Sequence, residues 1–228
     1  MKRSFLTMLV FLPLAMFGQL TIKTGVGYGL GSQPLLLEQA YTTSSVENIY
    51  ASFGGNVDFR LGAAMYLNDY LEVGADFGFQ NGRSVFVDQL INDRNYVGKL
   101  ISFHPALTFN VPSNNDLEPY ARLGLLAGFP LLKVISGSEE DKYRGNIPVG
   151  YSGALGFNFP MSDTFSLFVE LFYQSMIYKP GRIKEFDGTT IRLKDETSLP
   201  VPENQRLWNQ FFSYGAMGLG FGIKVRID

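Results

Sequence analysis

The sequence predicts an all-β chain folded as an eight-stranded antiparallel up-and-down transmembrane β-barrel, on three observations. Bulky apolar residues alternate with other types at a period of two along most of the chain, and no stretch carries a convincing 3.6-residue period. Short turns and long connections alternate, so every short one falls at one end and every long one at the other. One strand face is bulky and apolar while the other mixes glycine, alanine and isolated charges, which suits a narrow barrel with lipid outside and a filled lumen inside.

The first nineteen residues read as a secretory leader, with Lys2 and Arg3, an apolar run from Phe5 to Phe17 and small Gly18 before Gln19. Cleavage is expected near Gly18, dividing the chain into a signal peptide (1–19) and a barrel domain (20–228). The run is broken by Pro13 and falls short of the about 20 apolar residues of a membrane helix. Without Lys2 and Arg3, 17 of the 19 basic residues remain against 21 acidic ones, a balance of −4 that gives no reason to expect a nucleic-acid partner. The absence of cysteine excludes disulfides, thiolate metal sites and a lipoprotein-type acylated terminus.

The first expected strand, Leu20–Gly31, alternates Gly25, Gly27, Gly29 and Gly31 with Val26, Tyr28 and Leu30. That is a strand period, and it lacks the spacing of a phosphate-cradling G-x-G-x-x-G loop. Tyr50–Tyr66 puts Val57, Phe59, Leu61, Ala63 and Met65 on one face; after the turn Leu67–Asp69, Tyr70–Gln80 does the same with Leu71, Val73, Ala75, Phe77 and Phe79. Val97–Asn110 and Glu118–Leu132 flank the turn Val111–Leu117. Ile147–Phe159 and Phe165–Tyr178 flank Pro160–Thr164, and Phe165, Leu167, Val169 and Leu171 share a face. The last strand, Asn209–Ile227, sets Met217, Leu219, Phe221, Ile223, Val225 and Ile227 against Gly218, Gly220 and Gly222. In a soluble sandwich the glycine face would have to be the solvated one, a poor role for a residue depleted in strands. In a narrow barrel it makes room for long side chains from the opposite wall.

The inward parity therefore assigns a lumenal charge network to Asp58, Arg60, Glu72, Asp76, Arg122 and Glu170 opposite the glycines, with Lys23, Lys224 and Arg226 nearer the short-turn end. Their mixed signs predict ion pairs that plug the barrel rather than a selectivity filter. Two aromatic girdles are expected, Tyr66, Tyr70, Phe109, Phe159 and Phe165 at the short-turn end and Phe79, Phe129, Tyr173, Tyr178, Phe211 and Phe212 at the long-loop end.

The longest connection, Lys179–Trp208, contains "RIKEF" and "TIRL" around Asp187-Gly188, a strong hairpin signal. A two-stranded hairpin projecting outside the cell is expected there, with Arg182, Lys184, Phe186, Asp187, Gly188 and Arg192 as a candidate interaction surface; Pro200 and Pro202 favour an extended return to Trp208. Catalysis finds little support. His104, the single histidine, shares a strand face with Ser102, but residues two apart on a strand are expected to lie beyond direct hydrogen-bonding reach. Glu72 and Asp76 stand about 13 Å apart, too far to work on one bond. The acidic "SGSEEDK" of Ser136–Lys142 matches no calcium loop, so neither metal nor cofactor is expected.

With eight alternating strands after a leader ending in "FGQ" and a terminal "MGLGFGIKVRI", residues 20–228 resemble the outer-membrane β-barrel domain family common in Bacteroidota. That family includes PorT-like barrels and is similar in architecture to the small OmpA-type barrels. The resemblance implies a Gram-negative outer membrane with both termini periplasmic, contact with outer-membrane lipids, insertion by the barrel-assembly machinery, and an accessory part in protein secretion or surface assembly. The terminal strand departs from the usual aromatic end by finishing in Asp228. The function expected is a non-enzymatic structural or interaction module that meets a protein partner at its extracellular loops. A narrow porin-like pore for small solutes is the alternative, and an outer-membrane lipid-modifying enzyme a more distant one.

Overall fold

The computed structural model describes residues 19–41, 45–88, 93–112, 117–193 and 211–227. Of the expected leader only Gln19 lies within them, and Pro200, Pro202, Trp208 and Asn209 lie outside. In chain order the strands are β1 (Leu20–Gly31), β2 (Leu35–Tyr41), β3 (Val46–Ala51), β4 (Asn56–Asn68), β5 (Leu71–Asn81), β6 (Ser84–Val87), β7 (Arg94–Asn110) and β8 (Glu118–Ser136). They continue as β9 (Glu139–Arg144), β10 (Val149–Pro160), β11 (Phe165–Tyr178), β12 (Arg182–Lys184), β13 (Thr190–Arg192), β14 (Phe212–Ser213) and β15 (Ala216–Ile227).

Eight of these close on themselves in the order β1, β4, β5, β7, β8, β10, β11, β15, each antiparallel to its neighbours. The chain is thus an eight-stranded antiparallel barrel. Its seam pairs the first and last strands with glycine opposite glycine, Gly25 with Gly222, Gly27 with Gly220 and Gly29 with Gly218.

The faces sort by parity as the alternation requires. Phe59, Phe77 and Leu219 are 53%, 64% and 62% exposed on the outside, while Asp58, Glu72, Asp76 and Glu170 are buried within. The outward apolar run on β7 ends where Lys99 faces out, and on β8 where Lys133 does. From Ile101 to Phe109 and from Ala121 to Leu131 the run matches the about 9–11 tilted residues that cross a bilayer. At the short-turn end Asn68 Oδ1 accepts from the backbone N–H of Tyr70 and Leu71, both at 2.9 Å, and fixes the β4–β5 turn.

The long-loop end differs from expectation. Tyr50–Tyr66 is not one strand: Ser52–Gly55 interrupts it between β3 and β4, and Tyr214-Gly215 similarly interrupts the last strand between β14 and β15. At both places a Ser-aromatic-Gly step turns an aromatic ring inward. Ser52 Oγ donates to Gly215 O at 2.8 Å, Phe53 N donates to Ser213 O at 2.7 Å, and a Cβ on Gly54 would fall 2.0 Å from Gly215 O. Only glycine allows this approach.

The connections beyond the apolar band are also strands. β8 runs past Leu132 to Ser136 and folds back as β9; β2 and β3 form a separate two-stranded sheet; β6 pairs with β7. Reading strands by their apolar outer face had ended them at the edge of the lipid band, whereas the hydrogen-bonded ladder continues beyond it. The hairpin expected at 182–193 is present as β12 and β13, with Ile183 opposite Ile191. It does not project alone, because β12 also pairs with β9 and completes a wall of β8, β9, β12 and β13.

Behind that wall lies an apolar core at the mouth of the barrel. Phe53, Tyr96, Leu100, Leu126, Leu132, Met176, Tyr178, Phe212 and Tyr214 are buried there. Rings of Phe53, Tyr143 and Tyr178 surround Phe212 at 6.1, 5.5 and 6.4 Å between centroids. Tyr178 and Phe212 therefore belong to this cap and not to a lipid-facing girdle. Tyr66 departs too, facing inward at the short-turn end, whereas Tyr70, Phe109, Phe159, Phe79 and Phe129 face out.

Candidate functional site

The lumen holds two ion clusters. In the larger, Glu170 on β11 is the hub: its Oε1 accepts from Arg60 Nη1 at 3.1 Å and Arg122 Nη2 at 2.7 Å, and its Oε2 from the Tyr120 hydroxyl at 2.8 Å. Arg60 also binds Asp58 at 2.5 Å and Arg122 binds Asp76 at 2.8 Å. Five of the six sequence-derived network residues meet here. Glu72 does not join them; it pairs with Lys23 and, at 2.6 Å, with Lys224, toward the short-turn end. Lys224 donates to the Tyr66 hydroxyl at 2.6 Å as well, and the Arg226 guanidinium stacks over the Tyr66 ring at 5.3 Å. Lys23, Arg60, Arg122 and Lys224 balance Asp58, Glu72, Asp76 and Glu170 in number, as a desolvated interior demands.

Along β1 the glycines meet rings before they meet charges, whereas Gly220 on β15 lies against Glu170. Phe168 and Phe172 of β11 reach across β15, so a Cβ on Gly25 would come 2.9 Å from Phe168 Cζ, and one on Gly27 2.8 Å from Phe172 Cε1. The Arg60 guanidinium lies over the same Phe172 ring, 4.5 Å from its centroid. Sequence reasoning placed charges opposite the glycines, which holds at Gly220, and overlooked the inward aromatics that face β1, although Phe168, Glu170 and Phe172 share a parity. What remains between the glycines, Arg60 and Phe172 is a space of about 20 Å³, the order of one water. A wider vestibule of about 330 Å³ opens at the short-turn end among Tyr66, Asp69, Glu118 and Arg226.

Ser102 and His104 depart from expectation: His104 Nε2 and Ser102 Oγ stand 2.7 Å apart in a direct hydrogen bond. The twisted, curved wall of a small barrel brings inward side chains two apart closer than a flat strand would. Gly78 opposite leaves the room, since its Cβ would lie 2.6 Å from Ser102 Oγ. Both residues are buried inside the barrel, away from the outer surface where lipid lies.

On the wall at the long-loop end, Tyr143 and Ile183 point into the cap and the intervening residues point out. The outward face carries two cross-strand rows of cations, Lys133, Lys142 and Lys184 in one and Arg144, Arg182 and Arg192 in the other. Glu140 neutralises Lys133 and Lys142 at 3.1 and 2.8 Å, and these two ammonium groups hold its carboxyl below the usual range. At the hairpin tip Phe186 is exposed and Gly188 takes φ +90°, while Asp187 accepts from Thr189 N at 2.7 Å and Thr189 Oγ1 at 2.9 Å. Those bonds lower the Asp187 pKa.

A closed antiparallel barrel with a greasy exterior belt and an ion-filled lumen defines a β-barrel of the outer-membrane kind. Among solved structures the chain is similar to the outer membrane protein OprG from Pseudomonas aeruginosa, with a TM-score of 0.53 and 13% identity over 92% of this chain and 96% of that one. Looser likenesses, at TM-scores of 0.47 and 0.45, link it to Neisserial surface protein A (12% identity; 91% and 97% covered) and the outer membrane protease OmpT from Escherichia coli (10%; 92% and 97%). No family model and no curated protein matches the chain. The likeness at these identities is one of fold.

Proposed function

We propose that the protein is a non-conducting, non-enzymatic barrel of a Gram-negative outer membrane that acts through its long-loop end. Its termini lie in the periplasm after removal of the leader, and the wall and cap stand outside the cell. The observation that carries this reading is the filling of the lumen twice over, by the Glu170 ion cluster midway and by the apolar cap at the mouth. A barrel stoppered by desolvated ion pairs and by packed rings has no aqueous path to offer a solute. What it presents instead is a hydrogen-bonded wall above the lipid band, suited to holding a partner.

Planar-bilayer recording of the refolded mature chain tests this. No steady open level is expected; a stable conductance altered by Arg60→Ala or Glu170→Ala would establish the pore reading in its place. An accessory part in secretion or surface assembly, which the family resemblance implies, is the finer form of the proposal. It predicts that a strain carrying the chain without residues 182–193 keeps the barrel in its outer membrane but loses surface delivery of exported proteins, and unchanged delivery would refute it.

A further inference from the structure

The arginine row on the wall is unusual in its surroundings. Arg182 lies directly opposite Arg144 on one side and Arg192 on the other, so three arginines stand in register across three strands. Like charges in directly opposed positions destabilise a sheet. Among the described residues, no carboxylate lies within ion-pair distance of any of the three. The lysine row above is different, since Glu140 already bridges two of its members.

The row also has a definite place relative to the lipid-facing belt. Leu132 pairs with Tyr143, so one residue further along the register Arg144 comes beside Leu131, and Leu131 pairs on its other side with Lys99. Lys99, Leu131 and Arg144 point outward, whereas Leu132 and Tyr143 turn into the cap. One cross-strand line thus runs Lys99, Leu131, Arg144, Arg182, Arg192, and below it begin the exposed apolar residues Ile101 and Phe129. The cations sit where the outward apolar run on β7 and β8 ends.

We infer that this line binds the phosphate groups of a phosphorylated lipid headgroup in the outer leaflet. Guanidinium forks match phosphate oxygens in bidentate fashion, an anion between neighbouring arginines relieves their mutual repulsion, and Leu131 and Phe129 receive the acyl chains beneath. The inference rests on the proposal that the wall is the outward-facing interaction surface, and it names the ligand for that surface.

The test uses the full mature chain in detergent micelles, with diphosphoryl lipid A, the same lipid dephosphorylated, and inorganic polyphosphate as probes, read by the shift in melting temperature. Diphosphoryl lipid A is expected to stabilise the protein in a salt-sensitive manner, and its dephosphorylated form is not. The combined Arg144→Gln, Arg182→Gln and Arg192→Gln variant should bind on the order of 100-fold more weakly, while exchange of the three for lysine, which keeps the charge and loses the fork, should recover only part of that loss. Equal response to both lipids, or wild-type binding by the glutamine variant, would overturn the inference. Polyphosphate bound as tightly as the lipid would overturn it also, assigning the row to a soluble polyanion. Should the variant fail to fold, the comparison of the two lipids on the native chain decides. None of these residues faces the lumen, so the conductance experiment succeeds or fails separately.

Discussion

Replacing Glu170 by glutamine tests the lumenal network at its hub. The substitution keeps the volume and an oxygen for Arg60, Arg122 or Tyr120, and removes one negative charge from a site that is 4% exposed. Four lumenal cations, Lys23, Arg60, Arg122 and Lys224, would then face three carboxylates. Stripping one partner from a buried ion pair costs about 3–5 kcal/mol, mostly for the charge left behind. Because Asp58 and Asp76 still hold Arg60 and Arg122, the lower end, about 3 kcal/mol, is expected here. Urea unfolding in lipid vesicles, followed by the gel mobility of folded and unfolded barrel, measures it. A second arm adds Arg122→Gln, restoring the balance, and the pair should cost less than the two single changes summed. A loss below about 1 kcal/mol for Glu170→Gln, the scale of an exposed pair, would show that the lumen is wet and the reasoning wrong.

At the seam, Gly27→Val pushes a Cβ to 2.8 Å from Phe172 and should cost about 1–3 kcal/mol by the same unfolding assay; Phe172→Ala in the Gly27→Val background should recover part of the loss, and no recovery would mean that the glycine serves the backbone rather than the ring. The Asp187 turn gives a pH dependence. Its folded pKa lies below the ordinary 3.8, so its contribution is complete above that value and is lost as pH falls through the lowered one. Protection of the Thr189 amide, its exchange rate taken relative to that of a free peptide at each pH, should fall over that acidic interval, and Asp187→Ala should lack the protection at every pH; native protection that stays constant through the interval would refute the role of the carboxylate.

How far the sequence reaches is clearest where it succeeded and failed on neighbouring residues. Val57, Phe59 and Leu61 alternate with Asp58 and Arg60, so the strand, its sidedness and its own two inward charges could all be read from β4 alone. The same rule stopped at Leu132, since Lys133 looks like a loop by composition though it continues β8 outside the lipid band. The repeated Ser-aromatic-Gly at Ser52–Gly54 and Ser213–Gly215 was a visible sign of the two inward steps, but nothing local says that they touch.

What the sequence by itself determined is every property set by the two-residue period: the number of barrel strands, their order, and which face meets lipid. That follows because a strand's faces are assigned locally, by alternation, and the bilayer separates apolar from ionic side chains one residue at a time. Only the tertiary structure decided which charge meets which, that Glu72 serves Lys23 and Lys224 while Glu170 serves two arginines, that rings of β11 fill the glycine face, and that an apolar cap closes the mouth. Those contacts join residues up to more than a hundred positions apart, and their partners are chosen by the stagger and curvature of the closed barrel, quantities that no single strand carries.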